Sequence, residues 1–431
     1  MFLPPRGPLR VYATVTFFDS LVPGIMLAGG VLFFTKVAHL GAVQVGSGLS
    51  LAALVGLAAA VPAGRLGDRI GHRRLLIVIS LLRALVLGAY QLVDGYAAFL
   101  VVACLAGLAE SAVAPVRQAY LGTITTPENR VRTLAFNRVV RNIGATLSTP
   151  ALGLALALDS PVAFRALIGA GAVSVLIVAL VAVRLPETPA PSAAAGAATA
   201  GPRPVPGKRA GVLRDRPYLA LALLNGVLIM HMELLEVGMP LWVTGHTRAP
   251  DWTTSALLFL NVLVAIGLQM RVGNTVTDVG SAARAMRRGG YCLLAASAVF
   301  AATGTLGPLP GALALFAAVT LLTLTELLQS AGSWGLSYDL ADAARLGEYQ
   351  GAWSTGTQLV RSCGPLLVTL ALSSLAATGW LVIGLVYAVL AASSVPLARR
   401  AHTRTAQAAA QPHPPTPHQP APAPAPAGGP R

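Results

Sequence analysis

The feature that most constrains this chain is the succession of apolar runs of about 20 residues, each closed by Gly, Pro or charge. A run of that length matches the thickness of a bilayer's hydrocarbon core when it is wound as a helix. The runs lie near residues 10–35, 43–63, 75–93, 96–117, 138–158, 162–184, 217–243, 254–271, 288–306, 310–334, 352–375 and 380–398. They predict an all-α integral membrane protein of twelve transmembrane helices. Composition agrees: 55% of the residues are hydrophobic, 11% are charged, and the mean hydropathy is +0.68. A water-soluble fold could not cover so much apolar surface.

Charge fixes the orientation expected of these spans. Arg65, Arg69, Arg73 and Arg74 fall between the second and third runs, Arg130 and Arg132 between the fourth and fifth, and Arg203, Lys208, Arg209 and Arg214 between the sixth and seventh. Arg284, Arg287 and Arg288, then Arg345, then Arg399, Arg400 and Arg404 continue the alternation, whereas the intervening connections carry little beyond Lys36 and Arg248. Arginine clusters beside spans stay in the cytosol, so both termini are expected there, in a multi-pass protein of the cytoplasmic membrane. The first run is nearer a full span than a cleavable signal. The net charge of +15 lies at span ends rather than on one amphipathic face, which points to the lipid bilayer and away from nucleic acid. Cys104, Cys292 and Cys363 sit in apolar runs without CxxC spacing, so neither a disulfide framework nor a metal site is expected.

Residues 186–216 read as a cytoplasmic linker between two six-helix halves, 1–185 and 217–400, and residues 401–431 as a disordered Pro/Ala-rich tail. The halves look like parallel repeats: Glu110 to Glu326 and Pro150 to Pro365 are separated by nearly the same offset, about 216 residues.

The segment Gly64–Arg74, GRLGDRIGHRR, reads as a short turn in which Gly64 and Gly71 permit tight approach and Asp68 can accept hydrogen bonds from a helix N-terminus or an arginine. It resembles the loop 2–3 signature of the major facilitator superfamily, with His72 where a basic residue is usual. That resemblance, extended over roughly residues 1–400 by span count, linker and half-repeat, implies two pseudo-symmetric halves that rock about a central site formed by the first, fourth, seventh and tenth spans. It further implies a conformational latch at Gly64, Asp68, Arg69, Gly71, Arg73 and Arg74. Arg117 is the nearest-matching cationic partner for Asp68, and the start of the eleventh span near Trp353 is the matching helix end. Upstream, Gly48, Ala52, Gly56, Ala60 and Gly64 recur every fourth residue, a smooth face for close packing between halves. GATLSTPALG, from Gly144 to Gly153, resembles the signature of antiporter members but has Thr149 and Leu154 where glycine is usual.

Carboxylates inside spans are costly unless they face water, a partner or the bundle interior. Asp19, Glu110, Glu233, Glu236 and Glu326 are therefore the candidate proton-coupling or cavity residues. Glu233 and Glu236, three apart with His231 nearby, are expected on one helix face. Arg138 and Arg141 are expected to snorkel to the surface. Several acids and few cavity arginines favour a cationic or neutral amphipathic solute.

With no nucleotide-binding signature and no cofactor indicated, the chain is expected to act as a monomeric secondary transporter rather than an enzyme. The expected activity is proton-coupled efflux of a drug-like or metabolite small molecule, with import or facilitation by the same fold as the alternative. A lipid-modifying enzyme would need a metal site, for which Asp339 and Asp342 are the only faint candidates.

Overall fold

The computed structural model describes residues 7–26, 30–158, 160–187, 211–250 and 252–410. The central part of the expected linker and the tail beyond residue 410 lie outside these residues. The described residues wind into twelve successive rods. α1 is Pro8–Ile25 with Val31–Lys36; α2 is Ala42–Leu57 with Ala60–Ile70; α3 is His72–Ala89; α4 is Tyr96–Ile124; α5 is Pro127–Leu158; and α6 is Pro161–Ala182. α7 spans Arg216–His246, α8 is Trp252–Gly273, α9 is Val279–Thr303 and α10 is Pro308–Asp339. One continuous helical stretch, Leu346–Ala410, reverses at Ala376 (φ 47°, ψ −126°) and so supplies α11 before that residue and α12 after it.

Among the described residues, seven helical stretches are long and apolar enough to cross a membrane, or eight when the two segments of α2, bent by 46°, count as one span. One of the seven holds both α11 and α12. α1, α5 and α9 fall outside the seven; α5 and α9 carry arginines within or beside their apolar stretches.

Helix starts follow local chemistry. Ser160 caps α6 by accepting from the Ala163 amide with Pro161 next in line, and Asp215 caps α7 by accepting from Tyr218 with Pro217 in its first turn. Each arrangement occupies orphan amides that a helix start leaves unpaired. Gly71 alone separates α2 from α3, at φ 95°, a conformation that costs side-chain-bearing residues 1–2 kcal/mol or so.

This corrects the reading of Gly64–Arg74 as a turn. α2 runs helical through Asp68 to Ile70, and only Gly71 breaks it. The same rule lengthens other rods at this end of the bundle: α4 continues to Ile124, α5 begins at Pro127, α9 at Val279 and α11 at Leu346. An apolar-run reading stops at the first charge, but a helix keeps its backbone hydrogen bonds well past the hydrocarbon edge.

Apolar packing gathers in three clusters. One extends from Val212 to Ala401 and holds Trp242, Phe300 and Trp380, with the Trp380 and Phe300 rings stacked at 4.3 Å. The other two lie among α1–α6, joined from outside only by Tyr338 and its neighbours Trp334 and Leu346. Leucines and valines such as Leu85, Val162, Leu309 and Leu385 point outward, the surface a bilayer would cover.

Candidate transport cavity and gate

A cavity of about 600 Å³ opens between α1, α2, α3, α4 and α11. Its walls are mostly apolar, with Pro23, Phe34 and Tyr90 among them, and its polar groups are Arg83, Glu110, Ser111, Gln358, Arg361 and Ser362. Ser111 Oγ donates to Gln358 Oε1 at 2.7 Å, tying α4 to α11 at the cavity wall. The side chains of Glu110 and Arg361 are 59% and 50% exposed, so both charges are open to a solute. Of the four spans expected to form the central site, α1 and α4 line this cavity and α7 and α10 do not; α2, α3 and α11 complete its wall.

Beside the cavity, buried Asp19 of α1 is held by two arginines. Arg83 Nη1 donates to Asp19 Oδ1 at 2.5 Å, and Arg117 Nη1 donates to Oδ2. Arg83 Nη2 also stands 2.8 Å from Glu110 Oε2. Two carboxylates thus balance two guanidiniums in a chain running from the cavity surface at Glu110 to the interior at Arg117. Buried charges are tolerated only in such pairs. Arg83 was not anticipated. Its signal was position: a lone arginine eleven residues past the start of α3 at His72, too deep in its span to snorkel readily.

A second ionic site joins α5, α8 and α10. Arg138 donates to Glu326 Oε1, while Asn261 Nδ2 donates to Glu326 Oε2 at 3.1 Å. Arg138 therefore faces inward instead of snorkelling. Arg141, one turn on, is exposed and has no ion-pair partner among the described residues, yet the charges of Asp19, Arg117, Arg138 and Arg361 all act on it. It stands on the same interior space.

Glu233 and Glu236 do not share an environment. A π-helical turn, Leu234–Gly238, follows Glu233 and changes the register between them. Glu233 is buried over Gly364, 3.9 Å from the Arg361 guanidinium, and Glu236 is exposed. His231 turns away from both: its Nδ1 donates to the Leu228 carbonyl at 2.7 Å, which also accepts from Tyr387. That carbonyl is left over by the break in α7 near Ile229, so the pair serves the backbone.

At the Gly71 end, α2 meets α11. Asp68 Oδ1 and Oδ2 accept the backbone N–H groups of Gly347 and Glu348 at 2.8 and 3.0 Å, and His72 Nε2 lies 3.2 Å from Oδ1. Arg65 donates to Glu348 Oε1 at 2.9 Å, an oxygen that also accepts from the Val212 amide. The backbones touch: a Cβ on Gly64 would stand 1.9 Å from the Gly347 carbonyl oxygen, and one on Gly351 would stand 2.6 Å from that of Ala60. Nearby, Tyr338 donates to the Gln118 carbonyl at 2.7 Å, and Arg130 lies 3.7 Å from Asp339. Asp342 caps the short turn Ala343–Arg345.

Several expected partners differ. Arg117 binds Asp19 and not Asp68; the helix end at Asp68 is Gly347, a turn and a half before Trp353, whose indole donates to Ser333. Arg73 and Arg74 reach Glu187, with Arg73 also donating to the Val183 carbonyl, so they pin α3 to the end of α6. Arg69 is exposed without an ion pair among the described residues. In the small-residue stripe, Gly48 and Gly56 face Phe99 and Gly107 of α4, whereas Ala60 and Gly64 face α11. The 46° bend in α2 turns one stripe toward two neighbours.

A family model described as Major Facilitator Superfamily matches residues 12–365. Among solved structures, the human organic anion transporter MFSD10 (TETRAN) superposes with a TM-score of 0.63 at 16% identity, covering 92% of this chain and 100% of that one. The proton:xylose symporter XylE bound to 6-bromo-6-deoxy-D-glucose superposes with a TM-score of 0.59 at 14% identity, covering 92% and 95%. At such identities the likeness is one of fold. No curated protein matches the chain in sequence.

Proposed function

The chain belongs to the major facilitator superfamily and is a multi-pass secondary transporter, and on that premise we propose that it exports a small amphipathic organic anion across the cytoplasmic membrane in exchange for protons. The observation that carries this reading is the chain Glu110–Arg83–Asp19–Arg117, which starts on the cavity wall and ends in the bundle interior. A proton taken by either carboxylate frees a guanidinium, and an anionic solute can then take the vacated place. The exposed Arg141, without an ion pair among the described residues, and the half-exposed Arg361 favour an anion over the cationic or neutral solute that acid counting suggested. The apolar cavity wall suits an aromatic or aliphatic body.

Arginine distribution supports placing the Gly71 end in the cytosol, together with both termini. The named contacts between α1–α6 and α7–α12 run from that end up to Ser111–Gln358, which fits a state sealed toward the cytosol. Residues 1–185 and 217–400 would then rock as two halves within a monomer, with Asp68 as the latch.

The test is uptake into inverted vesicles, acid inside, of a hydrophobic carboxylate such as naphthoate against the cation tetraphenylphosphonium. Wild type should concentrate the carboxylate only when the gradient is imposed, and Asp19→Asn should abolish the gradient dependence while remaining in the membrane. Uptake of the cation, or flux indifferent to the gradient, would overturn the proposal; accumulation only in right-side-out vesicles would make the protein an importer.

A further inference from the structure

A second cavity, of about 400 Å³, lies apart from the transport cavity, between the start of α9 and the end of α12. Its basic wall is built from two helical pairs, the cationic Arg284 and Arg287 on α9 and Arg399 with His402 on α12, each pair three residues apart and so on one face. Val395 and Ala398 supply an apolar floor. Above it the helices close tightly: Gly290 fits against Ala388 and Ala391, and Ser394 donates to the Ala283 carbonyl at 3.1 Å.

The acids nearby are already engaged. Asp278 caps α9 by accepting from the Ser281 amide at 2.8 Å and from Thr277 Oγ1, although its charge also acts on Arg284; Asp339 faces Arg130. Arg287 Nε, in contrast, is buried and has no hydrogen-bond partner among the described residues. A buried guanidinium N–H without an acceptor is costly and rare, and this one belongs to a side chain that lines the cavity.

On α9 the stripe that carries these arginines continues into apolar surface: Tyr291, one turn beyond Arg287, is 53% exposed. On α12, Val386 and Val389 are exposed on the face beside the Arg399 stripe. A soluble phosphate would satisfy the arginines and leave this surface unused, whereas a phospholipid would cover both. The geometry points to a binding site for one anionic phospholipid, its headgroup phosphate among Arg284, Arg287 and Arg399 and its acyl chains along the outer faces of α9 and α12. Basic pockets between helices at the membrane edge bind such headgroups. Anchoring α9 to α12 there holds the outer helices together independently of the transport cavity.

The full chain, purified in detergent, would be assayed by native mass spectrometry and thermal unfolding with phosphatidylglycerol, with phosphatidylcholine of the same chains, and with glycerol 3-phosphate. Wild type should retain phosphatidylglycerol and be stabilised by it alone. The double variant R287Q/R399Q should bind it roughly thirtyfold more weakly, by the electrostatic contribution of two arginines near a membrane surface. R399Q alone, at an exposed position, should give part of that loss should the double variant not fold. The charge-matched control R184Q/R216Q, at the same end of the bundle, should behave as wild type. Equal retention by R287Q/R399Q and wild type, equal loss in the control, or stabilisation by glycerol 3-phosphate at the same concentration would overturn the proposal.

Discussion

Gly64→Ala is the sharpest perturbation of the gate. The added Cβ would meet the Gly347 carbonyl oxygen at 1.9 Å, and ordinary contact begins at 3.4 Å, so α2 and α11 must part by about 1.5 Å. Backbone stands on both sides, and no side-chain rotation relieves the clash. The same displacement stretches the bonds from Gly347 and Glu348 to Asp68, now 2.8 and 3.0 Å, past hydrogen-bonding distance. A hydrogen bond to a charged group contributes ~1.5–3 kcal/mol net, so losing two costs about 3 kcal/mol at the low end. Because these contacts belong to one conformation, the cost acts on the balance between conformations: about 3 kcal/mol shifts that ratio by roughly two orders of magnitude toward a state parted at the Gly71 end. Spin labels at cysteines replacing Ile70 and Ala344, with Cys104, Cys292 and Cys363 replaced by Ser, report the separation by pulsed electron resonance. Gly64→Ala should move the distance distribution to a longer component, and Gly46→Ala, whose Cβ would meet nothing within 4 Å, should not. A distribution for Gly64→Ala that matches wild type, with unchanged transport, would refute the reasoning.

Three further outcomes follow from the ionic sites. Asp19→Asn leaves Arg83 and Arg117 sharing a neutral amide; breaking such a buried group costs ~3–5 kcal/mol, so thermal unfolding in detergent should begin well below wild type, and an unchanged midpoint would count against the pairing. Glu326→Gln should lower stability as well, and Glu326→Gln combined with Arg138→Met should recover part of the loss, since removing both charges is milder than stranding one; a double variant no better than the single would contradict the pair. The Asp278 carboxyl is held below its ordinary value chiefly by the Ser281 amide, so its contribution is present above the unfolded value near 3.8 and is lost as pH falls through the lower folded value. Asp278→Ala should cost ~0.5–2 kcal/mol at neutral pH and flatten the decline below about pH 4, read from unfolding midpoints between pH 3 and 7.

Helix positions were legible because apolar length is a one-dimensional property, and the rods fall where the runs lie. What the runs concealed was local departure from ideal winding. Glu233 and Glu236 are three apart, and at 3.6 residues per turn that spacing predicts a shared face. The π turn after Glu233 undoes it, and nothing in LLEVG announces such a turn. The stripe from Gly48 to Gly64 was likewise read correctly as a packing surface but given one partner, because periodicity carries no record of the 46° bend that divides it between α4 and α11. Asp68 could be placed from its motif. Its acceptor role at a helix end was also legible, but the choice between Arg117 and the start of α11 depended on the fold.

The sign of the cavity was harder to read, for a reason that lies in the composition. Acids number 16 in the chain and stand out inside apolar runs, while Lys and Arg number 31 and mostly mark span ends. An arginine that does interior work is therefore hidden among arginines that set orientation. Depth separates the two kinds. Arg83 lies in the middle of an apolar stretch with Leu81, Leu82, Leu85 and Leu87 around it, and a guanidinium there must find a carboxylate within the bundle. Arg138 and Arg141 lie more than ten residues into α5, behind Arg130 and Arg132, which already stand at its start; the second pair is redundant for orientation and so must be explained by what faces it. Judged by depth instead of by count, Arg83, Arg138 and Arg141 become candidates for the interior, and the charge balance around the cavity changes from acidic to paired.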